Sequence, residues 1–217
     1  MRTVVRWLLT LTVSFTAAGC EEQRTVTSTL SIQEATDLDA SLARLDSTLS
    51  EHSPFISAAL ASPATTEQLT TLRSGIGNVQ VDALEKWFEW HNGGVSHPVS
   101  LLPLGQVLSI SESLKDREMM QTIPFVDRKR KNAVKLLDDG AGDGFFLDVT
   151  SKQPRVFYHM LEDPYPRDYG TMVEFVRFIA EVHAADVGSE DKSGRVVFDF
   201  DRYQAIESKY LNQKASR

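Results

Sequence analysis

The most regular pattern of hydrophobic and polar positions lies at residues 84–91. Leu84, Trp87, Phe88 and His91 follow the i, i+3, i+4, i+7 spacing of one helical face, and the positions between them include Glu and Lys. The pattern therefore predicts a helix whose apolar face packs in a core. The sequence Asn-Gly-Gly at 92–94 predicts the end of this helix, because Asn and Gly readily adopt a left-handed backbone conformation.

Further helices are predicted by capping boxes, in which Ser or Thr is followed three residues later by Glu or Gln. These boxes begin at Ser31, Thr65, Ser109 and Thr171. The first of the helices has leucines at helical spacing at positions 38, 42, 45 and 49. Packing on the chain's own domain is the favoured interpretation of this stripe, and a partner surface is the alternative. Asp201 is expected to cap a last helix.

Alternating apolar residues around a glycine-rich turn predict three strands, at 133–138, 145–149 and 155–161. Both faces of these strands are largely apolar, so we expect helices to cover one face and loops or a partner to cover the other. Pro98 and Pro103 limit any strand within 96–107 to a short or edge strand. Helices grouped around one meander indicate an α+β fold with a small antiparallel sheet.

The 217 residues suit one domain of ordinary size with a tail or tether. Pattern and composition indicate a signal peptide at 1–19, a polar flexible tether at 20–30, an N-terminal helical extension at 31–64, and a linker with a C-terminal helix at 188–217, with a central domain between the last two. A short strand is also expected at 196–198.

The first 19 residues have the pattern of an export signal. Arg2 and Arg6 precede a short apolar segment, and small residues lead to Cys20, the single cysteine of the chain. A lone cysteine has no partner for an intramolecular disulfide. The segment resembles a bacterial lipoprotein signal, and this resemblance implies that Cys20 is lipidated and that Glu21 directs the protein to the outer membrane, facing the periplasm. The alternative is ordinary secretion with an incidental cysteine.

The formal charge is −7, and loss of residues 1–19 removes two arginines and leaves −9. An acidic chain is poorly suited to sequence-independent nucleic-acid binding, which requires Lys and Arg to neutralise phosphates. A basic protein is a better matched partner. The run Arg128-Lys129-Arg130-Lys131 is interpreted as a solvated turn before a strand, with contact to phosphates or lipid headgroups as the alternative.

Several motifs occur in a characteristic order along the chain: the tryptophan helix ending in His-Asn-Gly-Gly, then Leu-Leu-Pro at 101–103, then Gly-x-Gly-Asp-x-Phe-x-Leu-Asp at 140–148, then an amphipathic helix. In this order they resemble the SUKH superfamily, also called the Smi/Knr domain, over about residues 65–187. The motif positions, to which the resemblance assigns a structural role, are Trp87, Trp90, His91, Asn92, Gly93, Gly94, Gly140, Gly142 and Asp148. Members include fungal cell-wall assembly regulators and bacterial immunity proteins that bind toxins, and the family has no accepted catalytic residues.

Candidate catalytic and metal-binding groups are few. Histidine is a common zinc ligand, and the chain has three candidates for a zinc site, His91, His159 and His183. Nothing in their spacing brings them together. The favoured interpretation is that they are buried histidines. Three carboxylates crowd one glycine turn, those of Asp138, Asp139 and Asp143, and carboxylates are ligands of hard cations. A tight hairpin turn also favours Asp and Gly, and it is the favoured interpretation. We expect no enzyme activity, metal or cofactor. A hydrolase that uses His91 or His159 is the least favoured alternative.

The resemblance and the charge together suggest a lipid-anchored envelope protein that binds another protein, and the resemblance implies that this partner is a toxin that it neutralises. The expected contact residues are Asp139, Asp143, Asp163, Tyr165 and Tyr169, in an acidic turn and an exposed loop. A scaffold or regulator of cell-wall assembly is the alternative function.

Overall fold

A computed structural model describes residues 30–77, 81–96, 98–123, 128–160, 166–191 and 195–215. The predicted signal peptide, most of the tether, Cys20, Asp163 and Tyr165 lie outside the described residues. Their predicted roles therefore stay predictions.

The helices follow the predicted starts closely. They are α1 (Ile32–His52), α2 (Pro54–Ala59), α3 (Thr66–Gly75), α4 (Asp82–Trp90), α5 (Ile110–Thr122), α6 (Arg128–Lys131), α7 (Met172–Ala184) and α8 (Phe200–Ala215). All four predicted capping boxes are formed, at α1, α3, α5 and α7. For α8 the predicted cap is wrong by two residues, because Asp199 and not Asp201 accepts a hydrogen bond from a backbone N–H of the first turn, that of Arg202, at 3.0 Å.

The strands form a six-stranded antiparallel sheet in sequence order and a separate hairpin. The sheet contains β1 (Ser100–Leu102), β2 (Gly105–Val107), β3 (Ala133–Asp138), β4 (Gly144–Asp148), β5 (Val156–His159) and β6 (Arg167–Gly170), and the hairpin contains β7 (Gly188–Glu190) and β8 (Val196–Phe198). The predicted α+β class is confirmed. Strand β1 is a three-residue edge strand, as the two prolines require.

The main hydrophobic core lies between the sheet, α7 and α1. Helix α7 packs on β6 and β1, and α1 packs along α7. The leucines of α1 are buried in the same cluster as Phe145 and Leu147 of the sheet. Their predicted packing on the chain's own domain is thus confirmed, and the segment predicted as an N-terminal extension shares one core with the central domain.

The second face of the sheet carries a smaller cluster. Phe146 and Phe157 stack there with ring centroids 5.8 Å apart, and α5 and α6 pack against β3. Arg130 is buried on this side with its guanidinium 4.9 Å from the centre of the Phe146 ring. The interpretation of the basic run as a solvated turn is therefore wrong for Arg130. The run is a short helix that contributes a buried cation.

Helix α8 is held to the domain by a buried polar cluster. Glu207 accepts hydrogen bonds from the hydroxyls of Tyr169 and Tyr203, and Tyr210 donates to the carbonyl of Tyr169 at 2.7 Å. Burial raises the pKa of both Tyr169 and Tyr203 well above its usual range. The prediction that Tyr169 lies in an exposed loop is wrong, because it is fully buried in β6, whose extended backbone continues the sheet.

A neutral histidine joins three parts of the core. The His183 side chain is buried between the Ser53 hydroxyl, 2.9 Å from Nδ1, and the Leu101 carbonyl, 2.8 Å from Nε2. A carbonyl only accepts, so Nε2 carries the proton and Nδ1 accepts from Ser53. Burial lowers the pKa of His183 to about 4, and His52 contributes in the same direction.

Replacement of Leu45 by Ala tests whether α1 is part of the core. Leu45 is fully buried, so its loss is expected to reduce the free energy of unfolding by about 2–4 kcal/mol. Arg44→Ala on the exposed side of the same helix is the control and is expected to change it by less than about 0.5 kcal/mol. Urea denaturation measures both, and equal effects would contradict the integral role of α1.

The buried histidine predicts a loss of stability in mild acid. The unfolded chain binds a proton at His183 near the ordinary pKa of about 6.5, whereas the folded chain does so only near 4, so stability is complete above this window and falls as pH decreases through it. Between about pH 7 and pH 5 the loss is expected to be on the order of 2 kcal/mol. His183→Gln, measured by urea denaturation at both pH values, is expected to lack this component. An unchanged pH dependence in the variant would contradict the assignment.

Candidate functional site

A groove lies between the segment after α4, strand β2 and helix α5. It has a volume of about 850 Å³ and is open to solvent. Val95 and Pro98 line it from the segment after α4, Val107 lines it from β2, and Glu112 and Met119 line it from α5. We call it the α5 groove.

The His-Asn-Gly-Gly motif builds one end of this groove. The Asn92 side-chain oxygen accepts from the backbone N–H of Ile110 at 2.8 Å, so it caps the start of α5. Gly93 has φ +87°, and a Cβ at this position would lie 3.0 Å from the Ser109 nitrogen. A side chain there is excluded both by backbone conformation and by space. The motif thus fixes the segment after α4 against the start of α5.

Helix α4 ends close to the predicted position, but not for the predicted reason. The helix ends at Trp90 because His91 adopts an extended conformation, with φ −149°, and the left-handed residue is Gly93, two positions later. His91 is partly exposed and bonds through Nδ1 to the Ala61 carbonyl, so its predicted place on the core face is wrong. Trp87 and Trp90 are buried, and Trp90 donates to Asp46 at 2.7 Å.

Two large apolar side chains are exposed in the α5 groove. Val95 is 66% exposed and Met119 is 49% exposed, although both line the same concave surface. Single exposed apolar residues are common on protein surfaces. Two of them from different elements in one groove indicate a surface suited to contact with another molecule.

The groove is acidic, and a buried lysine pairs with two of its carboxylates. Carboxylates of Glu112, Asp116, Glu118 and Asp138 line it, together with Lys115. Below them the Lys135 ammonium lies 2.6 Å from Asp116 and 2.7 Å from Asp138. One buried cation thus forms ion pairs with two carboxylates. The four carboxylates outnumber the two lysines, so the groove has an excess of negative charge.

The predicted acidic turn adjoins the groove. Asp138 ends β3 in the groove wall, and the next carboxylate, that of Asp139, accepts from the N–H groups of Ala141 at 2.8 Å and Asp143 at 3.0 Å. Gly140 and Gly142 have φ +86° and +103°, conformations that L side chains rarely adopt. The turn interpretation is confirmed. The contact role of Asp139 and Asp143 stays a prediction.

Cations behind the turn hold its backbone. Both the guanidinium of Arg130 and the ammonium of Lys135 donate to the Gly142 carbonyl, the latter at 3.1 Å. Arg130 also donates to His159 Nδ1 at 3.2 Å. Asp148, at the far end of β4, accepts from the backbone N–H and the hydroxyl of Thr150. The structural role that the resemblance gives it stays a prediction.

The three histidines considered as a metal triad lie in different places. His91 contacts the segment before α3, His159 contacts α6, and His183 lies between α1 and β1. Among the residues that the structure describes, no group of three or more His, Cys, Asp or Glu is arranged to hold a metal ion. No helix within the described ranges is long and apolar enough to cross a membrane.

Neither a scan against known protein families nor a search of curated proteins found a match for this chain. The likeness to the SUKH superfamily therefore rests on the motifs and their order alone.

Replacement of the buried lysine tests how the groove is held. Lys135→Met leaves Asp116 and Asp138 without their cation, and both carboxylates are only partly exposed, so we expect a loss of about 2–3 kcal/mol in the free energy of unfolding. Lys115→Met, at an exposed position in the same groove, is the matched control, with an expected change below about 0.5 kcal/mol. Urea denaturation at neutral pH compares the two. Equal stability of both variants would show that the ion pairs are not needed.

Proposed function

We propose that this chain is a non-catalytic, lipid-anchored envelope protein that neutralises a toxin by stoichiometric binding. The observation that carries the proposal is the α5 groove, in which exposed Val95 and Met119 lie among carboxylates and next to the acidic turn. The motif order that resembles SUKH proteins supports the choice of an immunity role among the possible binding functions.

In binding by such a surface, charge and apolar contact affect different rate constants. Acidic groups attract a basic partner over distance and raise the association rate, whereas desolvated apolar contacts slow dissociation. Tyr169 is buried and takes no part, so the aliphatic side chains of Val95 and Met119 replace the aromatic anchors expected from the sequence. Covering the partner's active site would then block its activity without any chemistry by this chain.

The proposed location restricts the kind of toxin. Lipidation at Cys20 would tether the domain through about ten polar residues to a membrane, facing the periplasm if the outer-membrane signal is followed. An immunity protein against a cytoplasmic nuclease must act in the cytoplasm. A toxin that acts in the envelope is therefore the consistent target.

Affinity capture tests this function. The chain from residue 20 onward, carrying Cys20→Ser and a tag, is the bait against secreted and envelope fractions of its own organism. We expect recovery of a secreted multidomain protein at equimolar ratio, and loss of its toxicity when one equivalent of bait is added. An unrelated acidic protein of similar net charge controls for non-specific attraction.

Two results would contradict the proposal. Recovery of wall-synthesis components, with wall defects on deletion and no attacker present, would support the alternative of an envelope scaffold. A captured toxin that stays fully active with excess bait would show binding without neutralisation.

A further inference from the structure

We propose that the α5 groove binds a protein segment in which one apolar side chain is flanked by lysines or arginines. This inference rests on the proposed function, because it names the contact surface and the chemistry of the partner that meets it.

The apolar part of the recognition follows from the groove walls. Val95 and Met119 come from two different elements, and Val107 forms part of the lining between them. An inserted aliphatic or aromatic side chain would contact both walls at once and remove their exposed surface from water. Because the groove is open, it suits a side chain presented by a polypeptide better than a fully enclosed small molecule.

The basic part follows from charge. Four carboxylates line the groove against Lys115, and the ammonium of Lys135 behind them offsets only one further charge. One oxygen of Glu112 accepts from the backbone N–H and the hydroxyl of Ser109 in the capping box. Such a lining disfavours phosphates and acidic segments and favours Lys or Arg beside the apolar anchor.

A second exposed apolar patch provides a contrast. Val197 and Phe200 are exposed near the β7–β8 hairpin, in a smaller depression that is also lined by Asp191 and Arg195. These two charges form an ion pair with each other at 3.3 Å, so the described lining of the depression has no excess of either sign. Both surfaces thus expose apolar side chains. The α5 groove differs because its exposed apolar side chains lie beside an excess of negative charge.

Synthetic peptides test the inference directly. The probe is an arrayed set of seven-residue peptides with a central Leu, Met or Phe between Arg and Lys pairs. Two matched sets replace the centre by Ser or the basic residues by Glu. We expect only the basic–apolar set to bind the Cys20→Ser chain, with affinity falling several-fold between about 50 and 300 mM NaCl. Fluorescence anisotropy measures the affinity, and backbone amide NMR shifts locate the site.

Exposed positions supply the variants, so the fold is preserved. Met119→Asp is expected to weaken the best peptide about tenfold, and Glu118→Lys several-fold with a smaller salt dependence. Val197→Asp, on the neutral patch, is the matched control and should leave the affinity unchanged. Circular dichroism and the unfolding midpoint confirm that each variant is folded.

The inference is overturned if no basic–apolar peptide binds better than its matched sets, or if Val197→Asp weakens binding and Met119→Asp does not. These outcomes differ from failure of the proposed function. A toxin captured and neutralised without peptide binding would place the contact on another surface, whereas groove binding without any toxin would retain the inference and remove the immunity role.

Discussion

The burial of α7 on several sides is the constraint on which the rest of the structure depends. Its residues Phe175, Phe178 and Ile179 are buried between the sheet, α1 and α8, so the helix is apolar around most of its circumference. A helix of this kind is stable only when its apolar sides are covered. Helices α1 and α8 in the terminal segments supply part of this cover, and a polar residue such as His183 is tolerated only because it is neutral and fully hydrogen-bonded.

Features governed by local chemistry were predictable from the sequence. The capping boxes depend on residues three positions apart, and the burial of the leucine stripe and of Phe145 and Leu147 follows from helical and strand periodicity. Strand β6 was missed because its sequence, with Arg, Asp and Gly, lacks the apolar alternation of a typical strand. The hydroxyl of the buried Tyr169 in this strand donates to Glu207, which lies 38 residues away in the sequence. No local sequence pattern predicts this hydrogen bond.

The candidate site was predictable only in part, for a similar reason. The sequence identified the glycine turn beside the groove and the motif at its end, but interpreted 92–94 as a helix stop only. The functions of Asn92 and Gly93 in positioning α5 depend on Ile110 and Ser109, which are distant in the chain. The groove itself combines three separated segments, so neither Val95 nor Met119 stands out before folding brings them together.

Buried cations connect the core to this surface. A buried ammonium group needs polar partners in place of water, and Lys135 has them in Asp116, Asp138 and the Gly142 carbonyl. The same contacts hold two carboxylates at fixed positions in the groove wall, where flexible side chains would have to be ordered on binding. Rigid carboxylates next to exposed Met119 thus combine low ordering cost with apolar surface, the two properties that a partner-binding groove requires.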